Sequence, residues 1–161
     1  MALRLEAATE ARREEIVRLF AEYTDAILKQ GEEVRRCLRA QHYGDEAQNP
    51  FEKYAPPQGR LYIALWDDAP VGCVALRKLD EKVCEMKRLY VRPGNRGRLI
   101  GGALVERALA EARAIGYRQM RLDTFPFMAD AIRLYRRYGF YEIPRYNDNP
   151  APSALFMQLD L

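Results

Sequence analysis

The chain has 161 residues, with 26 Lys and Arg against 23 Asp and Glu, a net charge of +3; 48% of it is hydrophobic and 30% charged. This length fits one domain over residues 1–161 and buries enough surface to need no disulfide or metal staple, and the composition excludes a disordered chain. The longest plainly apolar run, Leu61-Tyr-Ile-Ala-Leu-Trp66, is far too short to span a membrane.

The elements are read in chain order. Leu3-Arg4-Leu5 alternates as a strand. Thr9 suits a helix N-cap, and Ile16, Leu19, Phe20, Tyr23 and Ile27 then recur at helical spacing. Gly31 can end that helix, and residues 32–43 read as a second. Asn49-Pro50 and Pro56-Pro57 mark a loop with little periodic signal. Residues 60–66 are β-rich and turn through Asp67-Asp68-Ala69-Pro70. Residues 71–79 and 83–91 read as a hairpin about Asp80-Glu81-Lys82. Pro93-Gly94-Asn95 breaks the strand. Ile100, Ala103, Leu104, Ala108, Ala112 and Ile115 form a helix face closed by Gly116. Residues 120–125 read as a strand stopped by Pro126, 127–138 as a helix capped by Gly139, and 140–143 and 155–159 as closing strands. The order β-α-α-β-β-β-α-β-α-β-β implies an α/β (α+β) fold, a mixed sheet with helices on both faces.

The charge is unevenly spread. Residues 92–121 hold seven arginines and two glutamates, a local +5. A pI of 8.8 with one basic stretch falls short of a nucleic-acid surface, so no nucleic-acid partner is expected. Within the stretch, Arg96-Gly97-Arg98-Leu99-Ile100-Gly101-Gly102 follows a strand and opens a helix. Glycines admit a ligand close to the backbone, and the free N–H groups of a helix start suit phosphate, with Arg96 and Arg98 adding charge. The pattern is neither Gly-x-Gly-x-x-Gly nor a Gly-Lys-Ser/Thr loop, which disfavours dinucleotides and ATP.

This stretch resembles the acetyl-coenzyme A loop of the GNAT N-acetyltransferases, Arg/Gln-x-x-Gly-x-Gly/Ala, read here from Arg96 to Gly101 with Leu99 where glycine is usual. A second family motif matches at Ala131-x-x-Leu134-Tyr135-x-x-x-Gly139-Phe140. The likeness covers nearly the whole chain and is weakest over residues 41–58. It implies a mostly antiparallel central sheet and an enzyme that moves acetyl from acetyl-CoA to a small-molecule or peptide primary amine. It also implies that Leu89, Tyr90 and Val91 offer backbone to the pantetheine arm, while the amides of Arg96, Gly97, Arg98, Leu99, Ile100, Gly101 and Gly102 hold the pyrophosphate. Tyr135 would protonate the departing thiolate, since a phenol with pKa about 10 outranks a thiol. Glu85, on the strand leading to the coenzyme, would act as general base, with Asp123 and Asp130 as the other carboxylates. The resemblance leaves a homodimer open.

Other residues are read as follows. Met128 replaces an asparagine that contacts the coenzyme in many relatives, so that contact is expected to be lost. His42, the only histidine, reads as a surface residue. Cys37, Cys73 and Cys84 lack Cys-x-x-Cys spacing, so neither disulfide framework nor metal site is expected. With no basic, apolar leader at Met1-Ala-Leu-Arg-Leu-Glu, this fits a cytoplasmic protein. Tyr146 and Asp148 could line an amine pocket or form a tight turn, since Asn147-Asp148-Asn149-Pro150 is strong turn chemistry, and the ending from Tyr146 resembles uncharacterised bacterial members of the family. The acidic pairs Asp45-Glu46 and Asp67-Asp68 could attract a cation. Leu99 and Met128 keep a second reading open, a non-catalytic acyl-CoA-binding module on the same fold.

Overall fold

The computed structural model describes residues 2–41 and 43–161; His42 lies outside the described residues. Seven strands form one sheet in the order β1-β2-β3-β4-β5-β7-β6. They are β1 (Leu3–Ala7), β2 (Arg60–Trp66), β3 (Ala69–Lys78), β4 (Val83–Val91), β5 (Gln119–Thr124), β6 (Tyr141–Ile143) and β7 (Leu155–Asp160). The β4–β5 pair is parallel and every other pair antiparallel. The helices are α1 (Arg13–Leu28), α2 (Glu32–Ala40), α3 (Tyr43–Gln48), α4 (Pro50–Lys53), α5 (Ile100–Ile115) and α6 (Ala129–Arg137).

Two apolar layers sandwich the sheet. Ile100, Leu104, Val105 and Leu109 of α5, with Tyr135 of α6, pack on Val74, Leu76, Cys84, Met86, Met120 and Leu122. On the other face, Ile16, Leu19 and Phe20 of α1, with Tyr54, cover Ile63, Leu65, Cys73 and Ala75. Strand alternation sorts these residues to the two faces.

Three local readings need correction. The β2–β3 turn is only Asp67-Asp68, both left-handed (φ 49° and 70°), because a two-residue turn of this type matches strand twist. Pro70 therefore sits inside β3, beside an irregularity in the β2 pairing where a missing N–H is tolerated. The second helix stops at Ala40, and residues read as loop form α3 and α4, the latter starting on Pro50, where a helix needs no N–H. The last helix starts at Ala129, two residues later than the periodicity indicates.

Strand β4 is interrupted. Ala75 pairs Lys87 but Cys73 pairs Tyr90, so Val74 faces two residues, Arg88 and Leu89. This is a β-bulge, and Arg88 takes φ 58° within it. The bulge turns Arg88 toward α1–α3, while Leu89 packs toward the α5 layer. Gly72 makes room opposite: a Cβ there would lie 2.5 Å from the Tyr90 carbonyl oxygen.

The Arg88 side chain is buried and bound by Glu46 of α3, with Nε–Oε2 2.5 Å and Nη2–Oε1 3.0 Å. Gln41 accepts a further bond from Nη2 at 3.0 Å, and the guanidinium lies 4.9 Å over the Tyr43 ring. Burial pushes the Glu46 carboxyl up, but Arg88 and Lys53 outweigh it and hold it at about 2. The Asp45-Glu46 pair is thus not a surface attractor for cations: Glu46 is spent inside. A depressed folded-state pKa contributes stability above the unfolded value, lost as pH falls through the folded one. Stability should therefore decline from about pH 4.3 toward pH 2. Glu46→Gln should cost about 3–5 kcal/mol at pH 7 by urea unfolding, leaving a buried cation poorly paired, and should flatten the acid limb; an unchanged acid limb would contradict this role.

Candidate active site

The sheet opens just before the bulge, on the other edge of β4. Pairing of β4 with β5 ends at Glu85↔Arg121, whereas β5 continues against β7 as far as Thr124↔Leu155. Beyond Glu85 the two strands part. A cleft of about 910 Å³ runs along the end of β4, the start of α5 and one side of α6. A second, tighter cavity of about 40 Å³ lies between the parted strands, roofed by α1 and α2. Tyr23, Ile27, Leu89 and Met128 line both, so the two spaces adjoin.

The large cleft is built on a helix start. The first α5 bond runs from the Ala103 N–H to the Leu99 carbonyl at 3.2 Å, and the amides of residues 97–102 donate to no acceptor among the described residues. Unmet donors at the positive end of a helix suit phosphate. Gly102 permits close approach of α6: a Cβ there would sit 3.0 Å from the Tyr138 hydroxyl, which donates to the Glu106 carboxylate at 2.9 Å. All ten expected coenzyme residues, Leu89, Tyr90, Val91, Arg96, Gly97, Arg98, Leu99, Ile100, Gly101 and Gly102, line this cleft.

The arginines of the basic stretch divide by partner. Arg92 is tied to Glu22 at 2.8 Å, Arg107 lies over Tyr62, and Arg121 bonds Gln158 and lies over Tyr146. Arg96 and Arg98 remain on the cleft wall, Arg96 donating to the Val91 carbonyl and Arg98 lying 4.6 Å over Trp66. Sequence reasoning passed over Arg133 and Arg137, which join that wall from α6; they stand outside the basic stretch.

Tyr135 and Asp123 face the small cavity. Tyr135 is buried on the apolar side of α6, its ring 5.7 Å from Phe140. Its hydroxyl has no hydrogen-bond partner among the described residues, and burial pushes the phenol well above its ordinary value. It therefore stays protonated. Asp123 accepts from Asn149 Nδ2 at 3.0 Å and Asn147 Nδ2 at 3.2 Å, with Lys87 Nζ 3.4 Å away. Burial raises this carboxyl, but Lys87 and the two amides outweigh it and keep it below the usual range.

Glu85 sits one layer back. It is fully buried (0% exposed), and neither cavity is lined by it. Arg77 Nε reaches it at 2.7 Å, the Tyr146 hydroxyl donates to it, and Lys87 Nζ lies 4.0 Å away. Burial raises its carboxyl, and Lys87 and Arg77 bring it below the ordinary range. Lys87 thus links Glu85 to Asp123. Asp130 lines the outer cleft, paired with Arg133. Tyr146 lines neither cavity; Asn147 and Asn149, which no motif marks, are the residues of that loop that reach Asp123. Met128 lines both spaces and accepts from Thr124 Oγ1 at 3.5 Å. Cys37 lines the small cavity, but burial pushes its thiol to about 11, and Cys73 and Cys84 to about 12, so none is a ready nucleophile. No cluster of three or more His, Cys, Asp or Glu able to hold a metal occurs among the described residues, and no helix there is long and apolar enough to cross a membrane.

Comparison with known proteins agrees with this geometry. Residues 9–140 match the family model described as Acetyltransferase (GNAT) family. The chain belongs to the GNAT acetyltransferases. It is 39% identical over 126 residues to an uncharacterised N-acetyltransferase of Schizosaccharomyces pombe, covering 77% of each chain. It is 34% identical over 141 residues to a protein of Azospirillum brasilense named IAA acetyltransferase, covering 85% of this chain and 92% of that one. The PaiA N-acetyltransferase of Thermoplasma acidophilum, solved with coenzyme A, shares the fold with TM-score 0.79 at 17% identity, over 100% of both chains.

The unusual Leu99 of this GNAT loop has a conformational cost. It caps α5 at φ 61°, ψ 19°, the left-handed region that explains glycine at this place in the family pattern. Its side chain is 79% exposed and recovers little by packing. Leu99→Gly should raise stability by about 1 kcal/mol by chemical denaturation, whereas Leu99→Ala, which keeps the Cβ, should not; a loss of stability in Leu99→Gly would contradict the strain.

Proposed function

We propose that the chain transfers acetyl from acetyl-CoA directly to a primary amine, without an acyl-enzyme. The observation that carries this reading is the meeting of the two spaces at Leu89 and Met128. One has unmet amides at a helix start, and the other a neutral phenol and an ionised carboxylate. The larger, about 910 Å³, lies at the upper end of ordinary ligand clefts.

The steps follow from these groups. Amides 97–102, Arg96 and Arg98 hold the phosphates, and the unpaired edge of β4 at residues 89–91 orients the thioester arm. Asp123 takes a proton from the acceptor ammonium, directly or through one water. The freed amine forms a bond to the thioester carbon, the C–S bond breaks, Tyr135 gives its proton to the leaving sulfur, and the second proton of the acylated nitrogen returns to the Tyr135 oxygen, which leaves a neutral amide, a free thiol and a neutral phenol. We assign the base to Asp123 rather than Glu85, because Asp123 borders the cavity and Glu85 is sealed behind Lys87. Glu85 then acts as a positioning residue, holding Lys87 against Asp123. Desolvation makes the acceptor ammonium a stronger acid, which offsets the low basicity of the Asp123 carboxylate. Three buried unpaired thiols favour a reducing compartment such as the cytoplasm.

Calorimetry should show acetyl-CoA binding, and thiol release should depend on added amine. Tyr135→Phe and Asp123→Asn should each lower kcat by about 100-fold or more while leaving coenzyme affinity within about twofold. Binding without turnover across a broad amine panel would assign the non-catalytic reading instead.

A further inference from the structure

Lys87 is the one cation of the small cavity with capacity to spare. It is 6% exposed and lines the cavity wall. An ammonium has three N–H donors. Among the described residues it makes one hydrogen bond, to Asp123 Oδ1 at a long 3.4 Å, with Glu85 Oε1 a further 4.0 Å off. Its neighbours are better served. Arg88 is bound twice by Glu46 and once by Gln41, and Glu85 takes Arg77 at 2.7 Å. Asp123 is similarly lopsided: Oδ2 accepts from both Asn147 and Asn149, whereas Oδ1 has only the distant Lys87. A buried donor and a buried acceptor, each under-satisfied, thus face one cavity.

We propose that the acceptor is a small α-amino acid, bound as a zwitterion across this loose pair. Its ammonium meets Asp123 Oδ1 and its carboxylate meets Lys87 Nζ. This rests on the acetyl-transfer reading and names its acceptor. An α-amino acid carries its two charges on adjacent groups, at a spacing matching a pair held 3.4 Å apart. A simple alkyl amine satisfies Asp123 and leaves Lys87 short of a partner, and an amide-blocked substrate offers it only a neutral oxygen. Ile27, Val34, Leu38 and Phe125 give the wall an apolar part, and of its other charged groups Arg88 is already bound by Glu46. The volume of about 40 Å³ holds about three water-sized groups, so the head group fills it and the side chain must extend into the adjoining cleft.

The test compares L-alanine, L-alaninamide and ethylamine as acceptors with acetyl-CoA, reading thiol release and product mass. The amine of alaninamide is the least basic, so near neutral pH the largest fraction of it is free amine, and a preference for L-alanine must come from the site. L-Alanine should exceed the other two in kcat/KM by about tenfold or more, and Lys87→Gln should bring that ratio to within about twofold. Alaninamide or ethylamine equal to or better than L-alanine would overturn the proposal, as would turnover of none of the three by a chain that binds acetyl-CoA. A ratio unchanged in Lys87→Gln would overturn the role of Lys87; the wild-type comparison decides the acceptor even where that variant fails to fold. A wild-type chain that does not bind acetyl-CoA overturns the acetyl-transfer reading itself, and this proposal with it.

Discussion

A buried ion pair between Glu46 and a left-handed Arg88 fixes strand β4 where the sheet opens. Without the bulge at Arg88, β4 would keep its register and present a regular edge along its whole length. With it, Val74 faces two residues, and β4 has left β5 by the time it reaches Leu89. The conformation costs about 1–2 kcal/mol for a residue with a Cβ. The bidentate bond to Glu46 is of the right order to offset that cost, because breaking a buried pair costs about 3–5 kcal/mol. Gly72 supplies the remaining condition, bare backbone where the Tyr90 carbonyl swings in. Three residues far apart in sequence therefore hold the bulge in place beside the gap that both cavities adjoin.

The same displacement sorts the charges. Lys87 and Arg88, adjacent in sequence, reach the same face of the sheet, where regular alternation would have separated them. Arg88 is consumed by the scaffold. Lys87 stands between two carboxylates, Glu85 behind and Asp123 in front, and keeps both ionised. Across the cavity, Tyr135 is surrounded by apolar residues and stays neutral. A neutral phenol and an ionised carboxylate thus line one cavity, the combination the proposed proton transfers use.

Much of this was legible in the chain. The succession of strands along the chain and the two helices beside the large cleft follow from periodicity, and the loop from Arg96 to Gly102 announces itself by glycine and charge, whereas the place of β7 between β5 and β6 does not. Legibility fails where meaning depends on a partner distant in sequence. Glu46 reads as a solvated acid on a loop until α3 forms and meets Arg88, 42 residues away. Glu85 and Asp123 both lie on strands leading to the proposed coenzyme cleft, and only the parting of β4 from β5 shows which of them borders the small cavity. Asn147 and Asn149 read as turn residues, which they are, yet their amides also hold Asp123. Five of the seven clustered arginines never reach the cleft, because composition counts charge without regard to the face it occupies.

The central claim is that the gap beside the β4 bulge and the start of α5 together hold the coenzyme. Amide hydrogen exchange with and without acetyl-CoA tests it most directly. Slower exchange concentrated in residues 89–91 and 97–102, the unpaired strand edge and the unmet helix-start amides, is the expected result. Saturating binding that leaves those amides unchanged, or that protects a different part of the sheet, would contradict it.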